Sequence, residues 1–73
     1  MVNIIRLNFE LRKRGMNWSI LADEIGISKR LMYSRVHHNG ETFKMSEMMD
    51  ICNVLQLTPQ QSIEIFLNSK SGI

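Results

Sequence analysis

Between Gly26 and Gly40 the chain contains no acidic residue, although Lys29, Arg30, Arg35, His37 and His38 all fall there. Other things are scarce as well. Cys52 is the only cysteine, so no internal disulfide can form, and a reducing cytoplasm is the expected setting. No apolar run approaches the ~20 residues needed to cross a bilayer. The opening stretch "MVNIIRLNFELRKRG" is too short and too interrupted in its apolar part to serve as a signal peptide. No segment alternates with period two, which argues against a sheet. There is no glycine-rich phosphate loop and no paired acid and base. His37 and His38 are adjacent, so on a helix they point about 100° apart and cannot share a metal as an i, i+4 pair does. No cofactor, no metal and no enzyme activity are expected.

What remains is an ordinary globular composition, 44% hydrophobic and 22% charged, in a length close to the lower limit for a self-sufficient core. A single domain spanning residues 1–73 is expected, with a flexible tail at 69–73. Charge is uneven along it. Residues 1–40 carry seven Lys and Arg against three acids; residues 41–73 carry Lys44 and Lys70 against Glu41, Glu47, Asp50 and Glu64. A basic half joined to an acidic half fits one face turned towards a polyanion, although a merely solvated charged face has the same composition.

Punctuation divides the chain into five helical pieces. Residues 3–13 place Ile4, Leu7 and Leu11 on an apolar stripe with Ile5 and Phe9 beside it, and "RKRG" supplies terminal cations and a stop at Gly15. Asn17 caps a second helix with Leu21, Ala22 and Ile25 inward. Gly26 allows a left-handed turn, Ser28 caps a third helix, and Leu31, Met32 and Val36 form its inner stripe. After a loop over "HHNGETFK", the spacing of Met48, Ile51, Cys52 and Leu55 predicts a fourth helix. Thr58, Pro59 and Gln61 have the form of a capping box with proline at the first helical position. The fifth helix is expected to bury Ile63, Phe66 and Leu67.

Two short helices around a tight glycine turn are the sequence form of a helix-turn-helix. "LADEIGISKRLMYSRV" fits it in order: small Ala22 at the helix contact, Gly26 at the turn, Ile27 in the corner, and basic residues only on the outer side of the third helix. This stretch resembles the Cro/CI-type helix-turn-helix family of phage repressors and bacterial regulators. With "SEMMDICNVLQLTPQQSIEIF" after it, the chain looks like the short regulators of temperate phages of Gram-positive bacteria. The resemblance implies an all-α, five-helix repressor-type bundle, with the motif at about 17–37. It also implies a place in a lysis–lysogeny switch. The larger repressors of the family carry a C-terminal oligomerisation domain that this sequence does not show, which points to a Cro-like or antirepressor role.

In that family the motif's second helix lies in the major groove with its N-terminal half at the base edges. The resemblance therefore makes Lys29, Arg30, Tyr33 and Ser34 the base-reading residues, the two cations being suited to guanine O6 and N7. Ser28, His37, Lys13, Arg14 and Arg35 become candidates for phosphate or partner contacts. Tyr33 has an alternative role in packing. Arg35 has one as a surface ion pair with Glu47 or Asp50, worth roughly 0–1 kcal/mol.

Trp18 departs from the family pattern, which has a phosphate-binding glutamine at the start of the motif's first helix. An indole N–H donates but cannot also accept. Trp18 is either folded over the core or held out as an anchor for a protein partner. Two functions follow: a Cro-like regulator binding double-stranded operator DNA, with a homodimer admitted, or an antirepressor occupying the DNA-binding domain of a CI-type repressor.

Overall fold

The structure, a computed structural model, describes residues 2–67. These form five α-helices and no strand: α1 (Ile4–Lys13), α2 (Trp18–Ile25), α3 (Lys29–His37), α4 (Met45–Leu55) and α5 (Pro59–Phe66). The expected tail at 69–73 lies outside the described residues.

Each helix begins where a side chain can take up an orphan backbone donor. Asn3, Asn17 and Ser28 accept from the backbone N–H of Arg6, Ile20 and Leu31 at 3.0, 2.8 and 3.0 Å. Thr58 Oγ1 accepts from the N–H of Gln61 at 3.1 Å, and Gln61 Oε1 accepts from the N–H of Thr58 at 2.9 Å, with Pro59 at the first helical position. Caps of this kind contribute about 1 kcal/mol each. α4 is the exception. Lys44 has no acceptor in its side chain, and the cap is one-sided: Glu47 Oε1 accepts from the Lys44 N–H at 3.0 Å.

α2 packs against α3 and α4, while α1 packs against α5. Leu7, Leu11, Leu21, Ala22, Met32, Ile51 and Ile65 are fully buried where these helices meet. Phe43, from the loop before α4, closes one side of the core. The N-terminal arm is tied down by a 2.7 Å bond from the Asn3 N–H to the Ile65 carbonyl. Val2 lies under Gly40, whose φ is +76°, and a Cβ at Gly40 would stand 2.7 Å from Val2 Cβ.

The apolar faces at the two ends of the chain differ from the sequence reading. Ile5 and Phe9 face solvent at 85% and 55% exposure, because α1 turns its Ile4–Leu7–Leu11 edge inward and these two lie about 125° and 165° round the helix from it. On α5, Ile63 and Leu67 are exposed and Ile65 and Phe66 are buried, since the contact with α1 selects the Ile65 side. The position beside Leu7 and Leu11 that is fully buried is Glu10. Its carboxylate takes a 2.6 Å bond from Arg14, one of 3.2 Å from Arg6 and a 3.5 Å ion pair with Lys13. The bond from Arg14 is the strongest influence on this group. With Arg6 and Lys13 it outweighs burial and holds the Glu10 carboxyl below its ordinary pKa of 4.5.

Candidate nucleic-acid interface

The turn between α2 and α3 follows from one left-handed residue. Gly26 adopts φ +80° and ψ 28°. This lets the Ile27 N–H reach back to the Ala22 carbonyl at 3.0 Å, beside the Gly26 N–H on the same oxygen at 2.9 Å. Any residue with a Cβ would be strained there. The chain leaves α2, places half-buried Ile27 in the corner, and restarts at the Ser28 cap. Buried Leu21 and Ala22 on α2 and buried Met32 on α3 hold the two helices together. α3 is thereby fixed with its opposite side in solvent.

That outer side carries Arg30, Tyr33, Ser34 and His37 at i, i+3, i+4, i+7, all exposed. No acid lies on α3. Arg30 has no hydrogen-bond or ion-pair partner among the described residues, so its five donors point to solvent. Lys29, at the edge of the same surface, is 3.1 Å from Asp23 Oδ1 across the turn, with both groups more than half exposed. Asp23 belongs to this surface, and its place in the acidic pair before the turn was the sequence signal for it. Tyr33 is half exposed rather than packed away. The Ser34 carbonyl faces His38 Nδ1 at 2.8 Å, and the rings of His37 and His38 meet edge to face at 5.6 Å.

The other candidates are engaged in holding the fold. Arg35 turns to the opposite side of α3 and meets Glu47 bidentately, Nε to Oε1 and the terminal nitrogen to Oε2, both at 3.0 Å. The side chains are only 13% and 10% exposed, so the surface pair expected from the sequence is instead a shielded one. Burial pushes the Glu47 carboxyl up. The Arg35 bonds and the Lys44 N–H pull it down further, and the result is a lowered pKa. Such a pair fixes α3 against α4, and losing one partner costs several kcal/mol.

Arg14 points inward, donating from Nε to the Leu55 carbonyl at 2.8 Å and from its terminal nitrogen to the Glu10 carbonyl at 2.9 Å. Lys13 stays half exposed, with its ammonium 5.3 Å from the centre of the Phe9 ring. Ser28 Oγ is occupied as the α3 cap. Trp18, the first residue of α2, is half-buried against the core.

Among the described residues no three His, Cys, Asp or Glu side chains gather to hold a metal ion, and no helix is long and apolar enough to cross a membrane. Neither a curated protein nor a solved structure matches the chain significantly. The sequence pattern of one family, described as the Cro/C1-type HTH DNA-binding domain, matches residues 6–66. The match runs from within α1 to the last residue of α5 and contains the whole turn and its exposed α3, so this chain belongs to the Cro/C1-type HTH DNA-binding domain family.

Proposed function

We propose that the protein is a Cro-like transcriptional regulator that binds double-stranded operator DNA in a bacterial host, with α3 in the major groove. The observation that carries this reading is the outer stripe of α3. Arg30 stands at its N-terminal end with no partner among the described residues, and Tyr33, Ser34 and His37 continue the same stripe, with the Asp23 carboxylate at its edge. An unpaired guanidinium near the start of an exposed helix matches the bidentate geometry of guanine O6 and N7. Lys29 is the second base contact, exchanging Asp23 for a base edge. Tyr33 and Ser34 supply a ring edge and a hydroxyl one turn on. His37 and, beyond α3, Arg12 and Lys13 are suited to phosphates. Arg14, Arg35 and Ser28 act one step back, holding the reading helix in place.

A selection from a pool of random duplexes tests this. The wild type should recover a defined site. Arg30→Ala should bind that site about 1–3 kcal/mol more weakly and lose preference at one base position. Equal losses on selected and random DNA would reduce Arg30 to a phosphate contact.

One observation favours a second reading, an antirepressor that covers the DNA-binding domain of a CI-type repressor. Of the basic side chains described, Arg6, Lys13, Arg14, Lys29 and Arg35 are all in ion pairs. That leaves few cations free for a polyanion, in a chain whose net charge is only +2. The half-buried indole of Trp18 weakens its use as a protruding anchor, so the DNA reading stands first.

A further inference from the structure

One carboxylate stands at the edge of the reading stripe, and the needs of the fold do not account for it. Asp23 on α2 faces Lys29 across the turn, Oδ1 to Nζ at 3.1 Å, with the two side chains 68% and 55% exposed. Glu10 and Glu47 are buried under their cations and tie helices together. Asp23 does neither. A pair so open to water adds little stability, and the starts of α2 and α3 are capped by Asn17 and Ser28. Its position is nevertheless fixed. Buried Leu21, Ala22 and Met32 hold α2 against α3, so the carboxylate sits on a rigid element, one hydrogen bond from the ammonium of the first residue of α3.

We propose that Asp23 is a positioning residue that makes Lys29 a base-edge donor instead of a general phosphate contact. The inference rests on the reading that α3 binds DNA. An ammonium is a compact charge on a flexible stem, with three donors and no acceptor. Left alone, it goes to the strongest negative potential. On any duplex that is the phosphate backbone, and such a contact carries no sequence information. Asp23 changes both properties. It occupies one donor and balances the charge of the group, so the pull towards phosphates is largely cancelled. It also tethers the end of the stem, so less side-chain freedom is lost when the ammonium meets DNA. Two donors remain, enough for guanine O6 and N7. The exchange of Asp23 for a base edge is therefore partial: one donor stays and the others cross to the base.

Arg30 beside it needs no such help. A guanidinium has its five donors fixed in a planar fork that already matches guanine, and Arg30 has no partner among the described residues. Lys29 has no fork of its own, and the carboxylate supplies the missing direction.

Selection from random duplexes, followed by affinity measurements on the selected and unselected pools, tests this. Lys29→Ala marks the base position that Lys29 reads, as the one whose preference it loses. Asp23→Asn keeps the shape and removes the charge. It should tighten binding to random duplex about three- to tenfold near 100 mM salt and steepen the log–log salt slope by about 0.9, because Lys29 then takes a phosphate. At the marked base position its preference should fall at least about threefold, towards that of Lys29→Ala. In the Lys29→Ala background, Asp23→Asn should leave the base preferences unchanged. Circular dichroism melts of these variants should stay near wild type, because both side chains are exposed.

Equal tightening on selected and random duplex, with the base preference intact, would make Asp23 a merely repulsive charge and overturn the inference. So would an Asp23→Asn protein that binds both pools as wild type does, or a Lys29→Ala protein that loses no base preference. A wild type that selects no site brings down the DNA reading itself, and does so before any variant is made.

Discussion

Replacing Glu10 by alanine is expected to remove a large part of the stability of this small domain. The carboxylate is fully buried and collects Arg14, Arg6 and Lys13. Arg14 in turn joins α1 to the last residue of α4 through the Leu55 carbonyl, and Arg6 joins α1 to α5 through Glu64 at 3.0 Å. Breaking a buried pair by deleting one partner costs about 3–5 kcal/mol. Here the cations left behind are 27%, 37% and 48% exposed and can turn to water, which brings the figure down to about 2–3 kcal/mol. A domain of 73 residues has on the order of 4–11 kcal/mol in total, and each kcal/mol is worth about 4–8 °C at this size. A fall in melting temperature of at least about 8 °C follows.

The pH dependence adds a second readout. Because Arg14 and its neighbours hold the folded carboxyl below 4.5, the stability it contributes is present above 4.5 and is lost as pH falls through the lowered folded value. Wild type should thus lose melting temperature steeply below about pH 4.5. Glu10→Gln should lose it less steeply, with the remaining slope coming from Glu47, whose carboxyl is also lowered. Thermal melts by circular dichroism from pH 3 to 7 measure both. A melting temperature for Glu10→Ala within about 3 °C of wild type, or identical acid slopes for wild type and Glu10→Gln, would show that the ion pairs at Glu10 do not stabilise the fold.

Two further perturbations follow from the packing. Leu21→Ala empties a fully buried position at the α2–α3 contact and should cost roughly 2–5 kcal/mol, enough to leave much of the chain unfolded near physiological temperature; a cooperative melt within a few degrees of wild type would contradict the inward assignment of Leu21. Gly40→Ala adds a methyl 2.7 Å from Val2 Cβ at a φ of +76° and should cost at least ~1 kcal/mol, while Gly15→Ala, with no neighbour within 4 Å, should show only the smaller backbone penalty; denaturant midpoints that rank the two the other way would show that the arm does not lie under this loop.

Helix ends were far more legible in the sequence than helix faces. Asn17, Ser28, Thr58 with Gln61, Pro59, Gly15 and Gly26 act locally, through the few backbone groups beside them, and all stand in the structure where their chemistry put them. Faces depend on what arrives from elsewhere. α1 has apolar residues on two sides, and only the position of α5 decides that Leu7 goes in and Ile5 stays out. Glu10 reads as a surface residue until three cations close over it. Arg14 reads as a free cation until the Leu55 carbonyl, 41 residues away, is brought beside it. For Arg35 the partner Glu47 was visible, but the shielding that α4 gives the pair was not. The same long-range closure thins the basic face suggested by composition, and among the described residues leaves Arg12 and Arg30 as its unpaired arginines.

On the function proposed above α3 binds DNA in the major groove, and the salt dependence of binding to a selected site tests this without intermediaries. If Lys29, Arg30 and His37 on α3 and Arg12 and Lys13 beyond it contact DNA as proposed, about two or three phosphates would be neutralised per subunit, each contributing a log–log slope near −0.9. Fluorescence anisotropy between 50 and 300 mM salt should give a slope of about −2 to −3 per bound subunit, and binding to the selected site should stay tighter than to random duplex at every salt. Absence of binding at 50 mM salt, or equal affinity for both duplexes throughout, would contradict it.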